Sequence, residues 1–163
     1  MKKSTLKTGI FGTITTACVA VAAGFGINQT PEAIAQTPGQ GQSSEVQELL
    51  QTKQCPGCNL SGANLQNADL EEANLQNANL QNANLQNADL DKANLQGANL
   101  QGANLIRADL EEANLQGANL QQANLQRADL EDANLTEADI TGANLQQVDF
   151  EDTIMPDGTI RDN

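Results

Sequence analysis

The chain has 163 residues, enough for one domain, but an aromatic content of 2% excludes an ordinary core of mixed large side chains. A formal net charge of −13, with few and scattered Lys and Arg, argues against nucleic-acid binding by phosphate neutralisation and favours basic partners. With no His and no phosphate-binding Gly motif, the sequence carries no catalytic constellation, and no cofactor is expected.

Residues 1–35 have the organisation of a secretory signal. Lys2, Lys3 and Lys7 form a basic start, and residues 9–27 are apolar and uncharged. Ala33-Ile34-Ala35 then supplies a small-x-small cleavage site. Cleavage near Ala35 would export the chain to a periplasm or thylakoid lumen, with no membrane association afterwards. The alternative is an uncleaved membrane anchor, because the apolar run is near spanning length. Its Gly and Thr content favours the signal. Export separates the protein from cytosolic substrates and chromosomal DNA.

Residues 36–43 read as a polar linker with Pro and Gly. Residues 44–54 predict a short helix, started by a capping box of Ser44 and Gln47 and stopped before Pro56. Val46, Leu49 and Leu50 would form its apolar face and cover whatever follows. Residues 44–57 therefore form an N-terminal capping helix and a Cys55-Pro56-Gly57-Cys58 turn.

From residue 58 to 152 the chain is a strict five-residue repeat. Nineteen central apolar residues run from Leu60 to Phe150 without an insertion, all Leu except Ile140 and Phe150. Two places before each stands Ala, except for Cys58 and Val148, and between them is always Asn or Asp. The alternation of inward Ala, outward Asn and inward Leu fits a short extended segment, and the next two residues make a corner. One unit cannot bury its Leu alone; stacked units can, which makes the region an all-β solenoid. A disordered Gln/Asn-rich tract does not require Leu at every fifth place, and a heptad helix contradicts a period of five.

The A-(N/D)-L-x-x unit resembles the pentapeptide-repeat family over about 95 of the 163 residues. The flanks TKQCPGCNLSGANL and TIMPDGT are also similar to those of exported or lumenal cyanobacterial members. The resemblance implies a right-handed, four-sided parallel β-helix with the central and preceding small residues inward. Four sides of five residues predict a coil of twenty. The sequence carries that period: Asp69, Asp89, Asp109, Asp129 and Asp149 all precede a central residue on one phase, and elsewhere only Asp139 does. The next residue on that phase is also always acidic, as Glu71, Asp91, Glu111, Glu131 and Glu151. One side of the coil and its corner are therefore acidic.

That face is the candidate partner-binding site. A solvated face copied by duplication of a twenty-residue unit is the competing explanation. A flat row of carboxylates does not converge, so no metal site is expected. At about 4.8 Å between coils, two unit charges in water repel by roughly 1 kcal/mol. A buried Leu contributes roughly 1.5–3 kcal/mol, so the column tolerates the charge.

Cys55 and Cys58 fall on a central and an Ala position and are expected to face the first coil. They read as a structural cap with a disulfide, a redox switch being the alternative. Zinc is not expected, since after cleavage a single chain has no other Cys and no His to complete a typical zinc set. Residues 153–163 form a C-terminal cap or tail. Pro156-Asp157-Gly158 turns the chain, and Ile160 would fold back over Phe150. A homodimer through this end is the alternative use of its apolar residues.

Some members of the resembled family mimic B-DNA with an acidic β-helix and bind DNA gyrase. Export, and a column of only roughly 23 Å at 4.8 Å per coil, argue against that function. Ice binding is disfavoured by the absence of Thr ladders. The expected function is that of an interaction or scaffold protein.

Overall fold

A computed structural model describes residues 43–162, so the expected signal segment and most of the linker lie outside the described residues. Each five-residue unit forms one short extended side and one tight turn. The hydrogen bonds show why the units stack. Leu80 N–H donates to the Asn99 carbonyl at 2.8 Å, and Asn99 N–H donates to the Ala78 carbonyl at 2.9 Å. The pairing is parallel and always twenty residues apart, from Gln54 with Asn74 to Asn134 with Ile154. Four sides therefore complete one coil, and each coil satisfies the backbone of the next.

The corners have a fixed geometry. The N–H of each Ala from Ala63 to Ala143 donates across the turn to the preceding central carbonyl, as from Ala83 to Leu80 at 3.0 Å. The second residue after every central residue from Leu60 to Phe150 has positive φ, and most of these residues are not Gly. Glu112, Lys92, Arg107 and Gln122 all accept this left-handed backbone. It disfavours an L side chain by roughly 1–2 kcal/mol. A hydrogen bond to the next coil offsets that, as from Glu112 N–H to the Glu131 carbonyl at 2.9 Å.

The core is one continuous column of Leu and Ala. From Leu60 to Leu135 every central Leu is buried, and the Ala residues join them from Ala73 onward. Toward the C-terminal end Ile140, Ala143, Leu145 and Val148 are only partly buried.

Both ends differ from the sequence expectation. The stacked register begins before Cys58, because Gln54 bridges Asn74 and the Lys53 carbonyl accepts from Asn74 N–H. It also continues past residue 152, where Ile154 bridges Asn134 and its carbonyl accepts from Leu135 N–H. Backbone pairing does not require the Ala-Asn-Leu side chains. Thr153 takes the inward Ala place and is fully buried, its hydroxyl donating to the Leu130 carbonyl at 2.6 Å.

The helix α1 spans Ser44–Thr52 rather than residues 44–54. Its N-cap is Ser43, one residue earlier than expected, accepting from Val46 N–H at 3.3 Å. It ends at Lys53 in the left-handed region, where the chain enters the first coil, before Pro56 is reached. Val46 and Leu49 are buried in the same cluster as the Leu column, whereas Leu50 is 40% exposed. Leu50 lies about 100° around the helix from Leu49, beyond the strip that meets the coil.

At the other end β1 (Thr153–Ile154) and β2 (Ile160–Arg161) pair antiparallel across the predicted turn. Ile160 does not cover Phe150; it is 67% exposed. Successive strand residues point to opposite faces, and Arg161 takes the inner place, its guanidinium 4.0 Å from the Phe150 ring centroid.

The column makes a graded prediction. Leu100→Ala, in a fully buried place, should lower the unfolding free energy by about 2–5 kcal/mol in chemical denaturation. Leu145→Ala, in the half-buried last coil, should have a clearly smaller effect.

Candidate functional site

The residue before each central position has a specific task in the turn. Its Oδ1 accepts the N–H two residues on, in all nineteen units from Asn59 to Asp149, at 3.0–3.4 Å. This Asx turn needs a short side chain with a carbonyl or carboxylate oxygen, and Asn and Asp both make it at like distances. The sequence held the signal, an unbroken choice between these two residues, but an outward polar face explained it well enough to hide the turn.

Asn does something that Asp cannot. Its Nδ2 donates to the Oδ1 of the Asn one coil earlier, as from Asn79 to Asn59 at 3.0 Å, Asn99 to Asn79 at 3.2 Å and Asn119 to Asn99 at 3.2 Å. Gln residues after the central position add further rungs, including Gln76 to Gln96 at 2.9 Å and Gln81 to Gln101 at 3.1 Å. A carboxylate has no N–H to donate, so the Asp column replaces a stack of amide bonds with like charges.

The backbone of that column is continuous. Asp69 bridges Asp89, Asp89 bridges Asp109, Asp109 bridges Asp129, and Asp129 bridges Asp149. The structure thus brings the five predicted Asp into one line. Glu71, Asp91, Glu111, Glu131 and Glu151 follow at the adjoining corner. Two cations stand on this face. Lys53 pairs with Asp69 at 2.6 Å, and Lys92 bridges Asp91 at 2.7 Å and Glu112 at 3.2 Å. Lys53 was not singled out in the sequence; it reaches the column because the helix ends beside it.

The charges act on one another. The hydrogen bond from Lys53 lowers the Asp69 carboxyl below its ordinary value. Desolvation, followed by repulsion from Asp91 and Asp109, raises Glu111 above about 4.5. Desolvation, followed by repulsion from Glu151 and Glu111, raises Glu131 in the same way. Among the described residues no group of three or more His, Cys, Asp or Glu is placed to hold a metal ion.

The second predicted pair is joined: Cys55 and Cys58 form a disulfide. Cys55 is buried against α1, its Sγ 3.5 Å from the Glu45 carbonyl, and Cys58 is partly buried.

Residues 58–97, 88–127 and 113–152 match the family model described as pentapeptide repeats, with 8 copies. The chain belongs to the pentapeptide-repeat family. Among solved structures, this pentapeptide-repeat protein is similar to one from the Arabidopsis thaliana thylakoid lumen. The two share 30% identity over 73% of this chain and 78% of that one, with a TM-score of 0.53. A pentapeptide repeat protein from the cyanobacterium Cyanothece is 35% identical over 75% of this chain and all (100%) of its own, with a TM-score of 0.42. A plasmid-mediated fluoroquinolone resistance protein is 18% identical over 56% of this chain and 59% of its own, with a TM-score of 0.28. No curated protein matches the sequence. The right-handed β-helix is the fold of this family.

Two measurements check the roles assigned to these side chains. Asn99→Asp keeps the turn but loses a rung, so it should destabilise by about 1 kcal/mol. Asn99→Ala loses the turn bond and both rungs, to Asn79 and from Asn119, and should destabilise more, as read by the denaturation midpoint. The pH dependence follows from the shifted groups. Glu111 and Glu131 have raised values, so their protonated forms favour the fold, and that gain is lost as pH rises through their folded values. Asp69 has a lowered value, so its contribution is present above 3.8 and lost as pH falls through its folded value. The thermal midpoint should therefore rise as pH falls from about 7 toward about 4.5, and decline once Asp69 is protonated.

Proposed function

We propose that this protein is an exported, non-enzymatic interaction module that docks a basic protein surface on the column of Asp69, Asp89, Asp109, Asp129 and Asp149. One observation carries the reading. The Asx turn is made by Asn as well as by Asp, and Asn adds the inter-coil rung, so the turn does not require Asp on this side. Five stacked Asp, with Glu71, Asp91, Glu111, Glu131 and Glu151 beside them, weaken the stack and create a field. Such a field attracts a basic patch and sets association rates more than it sets fold.

Export is supported by the basic, apolar and small-residue order of residues 1–35, and by the lumenal origin of the Arabidopsis relative. In this reading α1 caps the first coil and the β1–β2 hairpin covers part of the last, which protects an open solenoid from edge-to-edge association. Dimerisation through the C-terminal end is the competing use of its apolar residues, Val148, Ile154 and Ile160 among them. Mimicry of DNA toward a type II topoisomerase is the competing use of the acidic face.

Affinity capture tests the docking. The protein as isolated, and a variant with Asn at all five Asp positions, are used as bait in an extract of the exported compartment. Loss of salt-sensitive partners from the variant is expected; identical partner sets would remove the acidic face from the function. Intact mass of the native protein should show loss of residues 1–35. A supercoiling assay with gyrase should show no change at high molar excess.

A further inference from the structure

The turn at Cys55-Pro56-Gly57-Cys58 is built unlike every later turn up to Thr153. The nineteen units that follow are each closed by an Asx bond. Here the corresponding residue is Gln54, which is longer, and the acceptor's usual donor is Pro56, which has no N–H. The bond across the turn is also long: Cys58 N–H to the Cys55 carbonyl is 3.3 Å, against 2.8–3.1 Å at the Ala residues from Ala63 to Ala143 and at Thr153. The disulfide occurs at this turn. A covalent bond thus stands where an Asx bond closes the others.

This turn is also the seat of α1. Cys55 is the first central residue of the column and is 1% exposed, packed in one cluster with Val46 and Leu49. The helix has 9 residues, too few to persist in water without that contact. Cys58 is only partly buried, whereas Cys55 is 1% exposed, so attack is assigned to Cys58.

We propose that the Cys55–Cys58 disulfide is a redox latch that holds α1 on the first coil and is opened by a dithiol reductant. One thiolate of the dithiol attacks Cys58 Sγ, forming a mixed disulfide. The Cys55–Cys58 bond breaks, and Cys55 leaves as a thiolate and takes up a proton. The second thiolate of the dithiol attacks the mixed disulfide, which frees Cys58 as a thiol and closes the dithiol into its own disulfide. Two electrons and two protons pass to the protein. The first turn then lacks both its covalent and its Asx closure, and α1 loses its support. The rest of the column keeps its neighbours on both sides and stays folded, as stability in a solenoid is local. Opening uncovers the first coil's apolar end and strand edge.

Hydrogen exchange followed by mass spectrometry on the intact chain, with and without dithiothreitol, tests this. Two newly titratable thiols, exchange at least tenfold faster over residues 46–53, and unchanged exchange over residues 95–125 are expected. Removing the dithiol and reoxidising should restore slow exchange. Cys58→Ser should exchange fast over residues 46–53 without reductant. The latch is overturned if both thiols appear while α1 stays protected, if the bond resists the dithiol, or if the whole column loosens together.

Discussion

The fold depends on one hydrogen bond made nineteen times, from the N–H after each central residue to the Asn or Asp oxygen two places back. That bond, with the left-handed residue that follows, turns the chain once per five residues. Period, side length and stacking all follow. A corner every five residues places residue i beneath residue i+20, and the parallel backbone bonds from Gln54–Asn74 to Asn134–Ile154 join the coils. The Leu column contributes most of the burial, but the corner decides which residues can share a column.

Because the turn reads only an oxygen at the right distance, its residue is free to be neutral or charged. The two choices have different consequences between coils. Asn59, Asn79, Asn99 and Asn119 form rungs, while Asp69, Asp89, Asp109, Asp129 and Asp149 stack like charges; beside them desolvation, and then repulsion, raises the Glu111 and Glu131 carboxyls. A local rule satisfied by two residues thus separates stability from surface chemistry. The charge pattern can vary without disturbing the turn.

Much of this was legible in the sequence because repetition multiplies a weak signal. One Leu at every fifth place gave the side, and Asp at every twentieth gave the number of sides. The stacking runs a little past the patterned residues 58–152 for a physical reason. Lys53-Gln54-Cys55 and Thr153-Ile154-Met155 lack the Ala-Asn-Leu pattern, yet parallel pairing uses main-chain groups and accepts them. Leu50 and Ile160 were assigned to the core from hydrophobicity, but the helix crossing and the hairpin register turned both outward. The Asx bond escaped notice because a surface position already accounts for a polar residue. The alignment of the five Asp follows from a spacing of twenty, which needs no knowledge of side-chain direction.

The central claim is that Asp on this side works against the stack and is not required by the turn. Thermal unfolding of the protein and of its variant with Asn at positions 69, 89, 109, 129 and 149, at low ionic strength and neutral pH, tests it most directly. A higher midpoint for the variant, with the difference shrinking as salt is added, is the expected result. A lower midpoint would contradict the claim and make the Asp column a structural element of the coil.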